Sequence, residues 1–219
     1  DMAAFEAAIT PKTKAVIVNN PNNPSGVVYS EDIIRKIASI MEKKQKEYGT
    51  EIYLIADEPY RELVYDGVEV PFLTKYYDNT IVGYSFSKSL SLPGERIGYL
   101  VIPDEVVDAK MLQSAAGVAT RILGFVNAPT LMQRVVARCL DVEVNVAAYD
   151  KNRKALYDGL TKLGFECIKP QGAFYLWVKA PDKDEEKLVM TAKSHNILVV
   201  PGSSFAYAGY VRIAYCVSY

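Results

Sequence analysis

The sequence predicts an α/β fold: a mostly parallel sheet sandwiched by helices, followed by a smaller α+β module. Three observations carry that prediction. Apolar runs of strand length recur through the first part of the chain, a helical apolar stripe separates the first two of them, and a second, shorter set of runs follows a long helical stretch. Strand, helix, strand is the order that parallel pairing needs, because parallel neighbours are joined by a long crossover.

The elements follow in order. Residues 2–9 have helical spacing, stopped by Thr10 and Pro11. Ala15, Val16, Ile17 and Val18 form a strand that ends in a stretch of Asn, Pro, Ser and Gly over residues 19–26. Ser30 is the expected N-cap of a helix whose core stripe is Ile33, Ile34, Ile37, Ile40 and Met41, ending at Gly49. Strands at 52–56, 80–84 and 98–102 are apolar enough to be covered on both faces. Beyond Pro103 the periodicity predicts helices at 105–116, 129–140 and 142–163, the last acting as a bridge. Strands at 174–178, 197–200 and 210–214, with a charged helix from about residue 184, complete the second module. The domain boundary is expected at residue 141, dividing 1–141 from 142–219.

The bulk properties exclude several classes. The chain has 219 residues, half of them apolar, with 25 basic and 26 acidic side chains and a net charge of −1. It is long enough for a substantial core, and it lacks the basic surface that nucleic-acid binding requires. Cys139, Cys167 and Cys216 are widely spaced and odd in number, which points to a reducing compartment rather than to disulfides or a zinc site. With His195 as the single histidine, a His-based metal centre or a Ser-His-Asp triad lacks its parts, and His195 reads as a structural residue near a helix end. No apolar run reaches membrane-spanning length and no signal pattern opens the chain, so the expectation is a cytoplasmic protein with no membrane or nucleic-acid partner.

In open α/β sheets, ligands bind beyond the carboxyl ends of the strands, so the residues following each apolar run are the informative ones. Val18 is followed by the Asn and Pro turn, Ala56 by Asp57, Glu58, Pro59 and Tyr60, and Tyr84 by Ser85, Phe86, Ser87 and Lys88. Taken singly, these are turn formers, a helix cap and a surface lysine. Together they are an amine nucleophile, a carboxylate able to hold a pyridine nitrogen protonated, and donors for a phosphate, which is what a carbonyl-reactive cofactor needs.

At these motifs the chain resembles the class I, fold type I aminotransferases that depend on pyridoxal 5'-phosphate. Residues 85–98, running from Ser85 through Lys88, Pro93, Gly94 and Arg96 to Gly98, match that family's lysine-attachment pattern at each constrained position. Residues 22–26, with Asn23, and 57–60, with Asp57 and Tyr60, are similar to its upstream motifs. Residues 201–205 and 210–214, the latter with Arg212, are similar to its small-domain motifs.

The resemblance implies that Lys88 is catalytic, forming the Schiff base with the cofactor and then serving as general base. It implies that Asp57 pairs with the pyridinium nitrogen, that Asn23 and Tyr60 hydrogen-bond the phenolic oxygen, and that Ser85 and Arg96 hold the phosphate. Arg212, with Asn23, is the implied clamp for the substrate carboxylate, since a planar guanidinium fits it with two hydrogen bonds. The activity implied is amino transfer between an amino acid and a 2-oxo acid, in a homodimer when the chain is full length.

On the same resemblance, residues 1–141 are expected to be the C-terminal part of the large cofactor domain, and 142–219 the small domain with its bridging helix, cut short at its end. A phosphate-cradling turn, a ring-stacking aromatic and an interface tyrosine are expected upstream of residue 1. The chain therefore reads as a fragment, inactive alone and a weak binder of the cofactor. A β-eliminating carbon–sulfur lyase uses the same lysine, aspartate and arginine, and a transcriptional regulator with an aminotransferase-like body is a further alternative; the substrate pair is not readable.

Overall fold

The computed structural model describes residues 1–219, and they divide into two compact units. The first consists of Asp1–Asn20, Tyr29–Pro59 and Val70–Glu143; the second consists of Pro21–Val28, Tyr60–Glu69 and Val144–Tyr219. The chain passes into the second unit for good after Glu143, and two short segments from the earlier part of the chain belong to that unit as well.

The first unit opens with α1 (Met2–Ala8), where the Asp1 carboxylate caps the backbone N–H groups of Ala3 and Ala4. It is followed by β1 (Ala15–Asn19), α2 (Glu31–Tyr48), β2 (Tyr53–Asp57), β3 (Thr80–Ser85), a one-turn helix α3 (Phe86–Ser89) and β4 (Gly98–Val101). Helices α4 (Ala109–Ile122) and α5 (Thr130–Val136) end it. The sheet order is β1-β2-β3-β4; the first two pairings are parallel and the third antiparallel. α2 supplies the crossover between β1 and β2 and buries Ile34, Ile37, Ala38 and Met41 with Val18, Leu54 and Ala56 of the sheet. It closes as expected at Gly49, whose left-handed backbone (φ 62°) suits glycine.

Three expectations are corrected here. β4 is not covered on both faces: all four of its residues are exposed, including Leu100 at 57 %, because it lies at the sheet edge. The first of the later helices begins at Ala109 rather than 105, because Val106 and Ala109 close turns onto Pro103 and Val106 and Asp108 is left-handed. Ser30 stands at the N-cap position of α2, yet its side chain makes no capping bond.

The second unit contains α6 (Val146–Lys162), β5 (Cys167–Ile168), β6 (Tyr175–Lys179), α7 (Glu185–Ser194), β7 (Val200–Pro201) and β8 (Tyr210–Ala214). Its sheet is antiparallel throughout, in the order β5-β6-β8-β7. The expected 142–163 helix starts later, at Val146, because the Asn145 carboxamide caps it through Ala148 N–H. The core joins Leu176, Val178 and Val211 to Tyr60, Leu63 and Tyr65 of the inserted segment. That segment is pinned by Arg153, which is 2 % exposed: its guanidinium donates to both carboxylate oxygens of Asp66, to Asp150 and to the Pro170 carbonyl, and it lies over the Tyr65 ring. On the strand carrying Arg212, Tyr210 stacks on Trp177 of β6, with ring centroids 5.5 Å apart and planes 5° from parallel.

Candidate functional site

The first unit gathers its polar groups at one edge of its sheet. β1, β2 and β3 run parallel, and their registers pair Asn19 with Asp57 and Asp57 with Gly83, so the carboxyl ends of neighbouring strands deliver Asn19, Asp57 and Ser85 to one side. The Asn19 carboxamide donates to the Asp57 carboxylate at 2.9 Å and to its backbone carbonyl at 3.1 Å. Asp57 is half-buried. Burial raises its pKa above the ordinary value, and the Asn19 hydrogen bond offsets this only in part. Its hydrogen-bond partner is the neutral Asn19 carboxamide, so a cationic group such as a protonated pyridine nitrogen placed beside it would lower that pKa.

Lys88 lies in α3, directly after β3. Ser85 caps that helix: its Oγ accepts the Ser87 N–H at 3.2 Å and is 2.7 Å from Ser87 Oγ. Tyr84 OH reaches Ser89 Oγ at 2.8 Å. Arg96 follows a short turn over Pro93–Glu95, adopts a left-handed backbone (φ 52°) and donates to the Pro93 carbonyl at 2.8 Å. Gly98 then enters β4 against β3; a side chain there would overlap the Tyr84 carbonyl, so only glycine permits the approach.

The second unit carries the other motif residues. Asn23 and Arg212, far apart in sequence, are brought together: Arg212 Nη1 donates to Asn23 Oδ1 at 2.8 Å. The Arg212 guanidinium lies over the rings of Tyr175, at 4.4 Å, and Phe205, at 4.8 Å. Its Nε is buried without a hydrogen-bond partner. Tyr60, buried in the same unit, shares a hydrogen bond of 3.1 Å with Tyr175 OH. Asn23 precedes Pro24 across a cis peptide in the loop that Gly26 joins to Gln171 and Gly172.

The set of groups suits a phosphorylated pyridine aldehyde: an amine after β3, a half-buried carboxylate at the end of β2, serine hydroxyls and a guanidinium in the Lys88 turn. No cluster of His, Cys, Asp and Glu that could hold a metal ion is present, and no helix is long and apolar enough to cross a membrane. Asn19, Tyr175 and Glu185 were given no role in the site by sequence reasoning, and Phe205 entered it only as part of the 201–205 motif. For Asn19 the signal was its place at the end of an apolar run, beside the strand that ends in Asp57.

A mostly parallel sheet flanked by helices, with a lysine turn after one strand and an aspartate at the end of its neighbour, is the arrangement expected of the cofactor half of a pyridoxal-phosphate enzyme. The sequence profile of the family described as Aminotransferase class I and II matches residues 1–218, and the chain belongs to that family. Members of this family use pyridoxal phosphate. The chain is 34 % identical over 223 residues to the probable aspartate/prephenate aminotransferase of Thermus aquaticus, covering 98 % of this chain and 55 % of that protein. It is 33 % identical over 224 residues to aromatic-amino-acid aminotransferase 2 of Thermococcus litoralis, covering 98 % and 56 %. Among solved structures, an amino transferase from Eubacterium rectale superposes with a TM-score of 0.96 at 53 % identity, over 100 % of this chain and 55 % of that one. The aspartate aminotransferase of Thermotoga maritima does so with a TM-score of 0.86 at 28 % identity, over 100 % and 56 %. The chain thus spans about half the length of the curated relatives it matches.

Proposed function

We propose that the protein containing this chain transfers an amino group between an amino acid and a 2-oxo acid, with Lys88 as its catalytic residue. The observation that carries the reading is the sheet edge at which Asn19, Asp57 and Ser85 emerge from adjacent parallel strands, with Lys88 one turn further on. Pyridoxal phosphate, when bound, supplies the aldehyde that receives the amino group and a ring that spreads negative charge. Asp57, oriented by Asn19, holds the proton on the ring nitrogen, which a neutral carboxyl could not do. The Lys88 amine holds the cofactor between turnovers and, once displaced by substrate, moves the proton to and from the substrate α-carbon. Ser85, Arg96 and Tyr60 contribute donors to the cofactor's oxygens. Asn23 keeps the Arg212 fork in one orientation, so that a bound α-carboxylate fixes the Cα–H bond for proton removal.

The test is Lys88→Ala in the full polypeptide. Transamination and the borohydride-reducible link between protein and cofactor should both disappear; a reducible adduct persisting in the variant would remove Lys88 from this role. Release of pyruvate and ammonia from cysteine conjugates by the wild type, without amino transfer to 2-oxoglutarate, would replace the transaminase with a lyase.

A further inference from the structure

Resting on the assignment of Arg212 to the substrate carboxylate, we propose that Glu185 is a positioning residue for that arginine, acting through the 202–209 loop and the Phe205 ring. Glu185 is the first residue of α7 and is 6 % exposed. Its Oε1 accepts the backbone N–H of Ser203 at 3.0 Å, and its Oε2 accepts those of Gly209 at 2.6 Å and Tyr210 at 3.2 Å. One carboxylate therefore clasps the loop where it leaves β7 and again where it enters β8.

The clasp suits an anion. Burial alone would raise the Glu185 pKa, but hydrogen bonds from Ser203, Gly209 and Tyr210 outweigh it and hold the group below the ordinary carboxylate value. The loop between the two contacts is tight. Tyr207 N–H returns to the Gly202 carbonyl at 3.0 Å, Ala206 is left-handed (φ 57°), and a side chain at Gly202 would overlap the Tyr207 carbonyl. Phe205 lies within it, with its ring against the Arg212 guanidinium at 4.8 Å. Tyr210, whose N–H is one of the three donors, lies two residues before Arg212 on β8.

Removing the charge at Glu185 loosens both the ring that covers the guanidinium and the strand that carries it, while leaving Lys88 and Asp57 untouched. The Asn23 bond still orients the fork, so a looser Arg212 binds a carboxylate less well before and during reaction alike, which raises KM at nearly constant kcat. General damage to the fold would instead lower the fraction of active enzyme and therefore kcat.

Glu185→Gln and Phe205→Leu, made in the full-length holoenzyme, are each expected to raise KM for both the amino acid and the 2-oxo acid about tenfold, with kcat held within about twofold. The Kd of maleate, an unreactive dicarboxylate, measured by calorimetry, should weaken by a similar factor, and the cofactor bound per chain should not change. Unchanged KM and maleate affinity in Glu185→Gln, or a fall in kcat alone, would overturn the inference. Should Glu185→Gln fail to fold, Phe205→Leu decides by the same criteria. Arg212→Lys separates the two claims: weakened maleate binding there with none in the Glu185 and Phe205 variants defeats only the positioning role, whereas unchanged binding in Arg212→Lys defeats the carboxylate assignment itself.

Discussion

The Lys88 turn and the Arg212 strand are built in opposite ways. Close to Lys88, several side-chain hydrogen bonds span only two to five residues: Ser85 to Ser87, Tyr84 to Ser89, Arg96 to Pro93. Around Arg212 they cross long stretches of chain, from Asn23 to Arg212, from Glu185 to Ser203, Gly209 and Tyr210, and from Tyr175 and Phe205 to the guanidinium. In the proposed roles, Lys88, which exchanges bonding partners, sits on a short turn, while Arg212, which presents one fixed fork, is held by contacts that only the folded chain can assemble. The same contrast separates Asp57, oriented by one neighbouring strand, from Arg153, held at four points.

The largest expected effect tests the chemical half of that contrast. Asp57→Ala should lower kcat by several orders of magnitude, because losing the partner of the ring nitrogen removes several kcal/mol of charge stabilisation and each ~1.4 is tenfold in rate. Single-turnover rates near wild type would reduce Asp57 to a strand-end residue. The anchored half responds in stability instead. Arg153→Met should cost about 2–3 kcal/mol, since buried charge-assisted bonds to Asp66, Asp150 and Pro170 are lost together. Urea unfolding checks it, and an unshifted midpoint would mean that segment 60–69 is held by its apolar contacts alone.

Ser85→Ala sharpens the local side of the comparison: it removes an N-cap bond and should cost about 1 kcal/mol, with cofactor affinity as the second readout. Loss of stability without loss of affinity would confine Ser85 to capping. The smallest effect is a pH dependence. Hydrogen bonds from Arg153 and Lys169 lower the Asp66 pKa from 3.8 to about 2. A carboxylate depressed on folding stabilises fully above its unfolded pKa and loses that contribution as pH falls through the folded one. The stability gap between wild type and Asp66→Asn should therefore shrink between about pH 4 and pH 2, modestly, because the Asp66 side chain is 41 % exposed. A gap constant over that range would show that the ion pair adds nothing.

Much of this molecule was legible in the sequence because its decisive features are contiguous. Apolar runs followed at once by Asp57 or by Ser85 and Lys88 identify strands and strand ends in one reading, and the helix to Gly49 announces its own stop. What stayed hidden depends on partners remote in sequence. An apolar run such as 98–102 looks the same whether it lies at the centre or the edge of a sheet, and it carries no mark of direction, so the exposure and antiparallel pairing of β4 were not readable. Glu185 is one acid among several in a charged helix, and nothing nearby reveals that it serves residues in the 203–210 stretch. The joining of Pro21–Val28 and Tyr60–Glu69 to the second unit is likewise a tertiary fact, made by bonds such as Gln171 to Gly26 and Tyr65 to Gln171.

Trp177 is the only tryptophan of the chain, is almost fully buried, and is the register partner of Arg212 across β6 and β8. Its indole stacks on Tyr210 and meets Phe205 edge-on at 5.8 Å. Ring contacts this close make excited-state emission sensitive to small shifts of the neighbours, so the chain carries its own optical gauge beside the guanidinium. Fluorescence excited selectively at that indole would follow the 202–209 loop in real time, without any label.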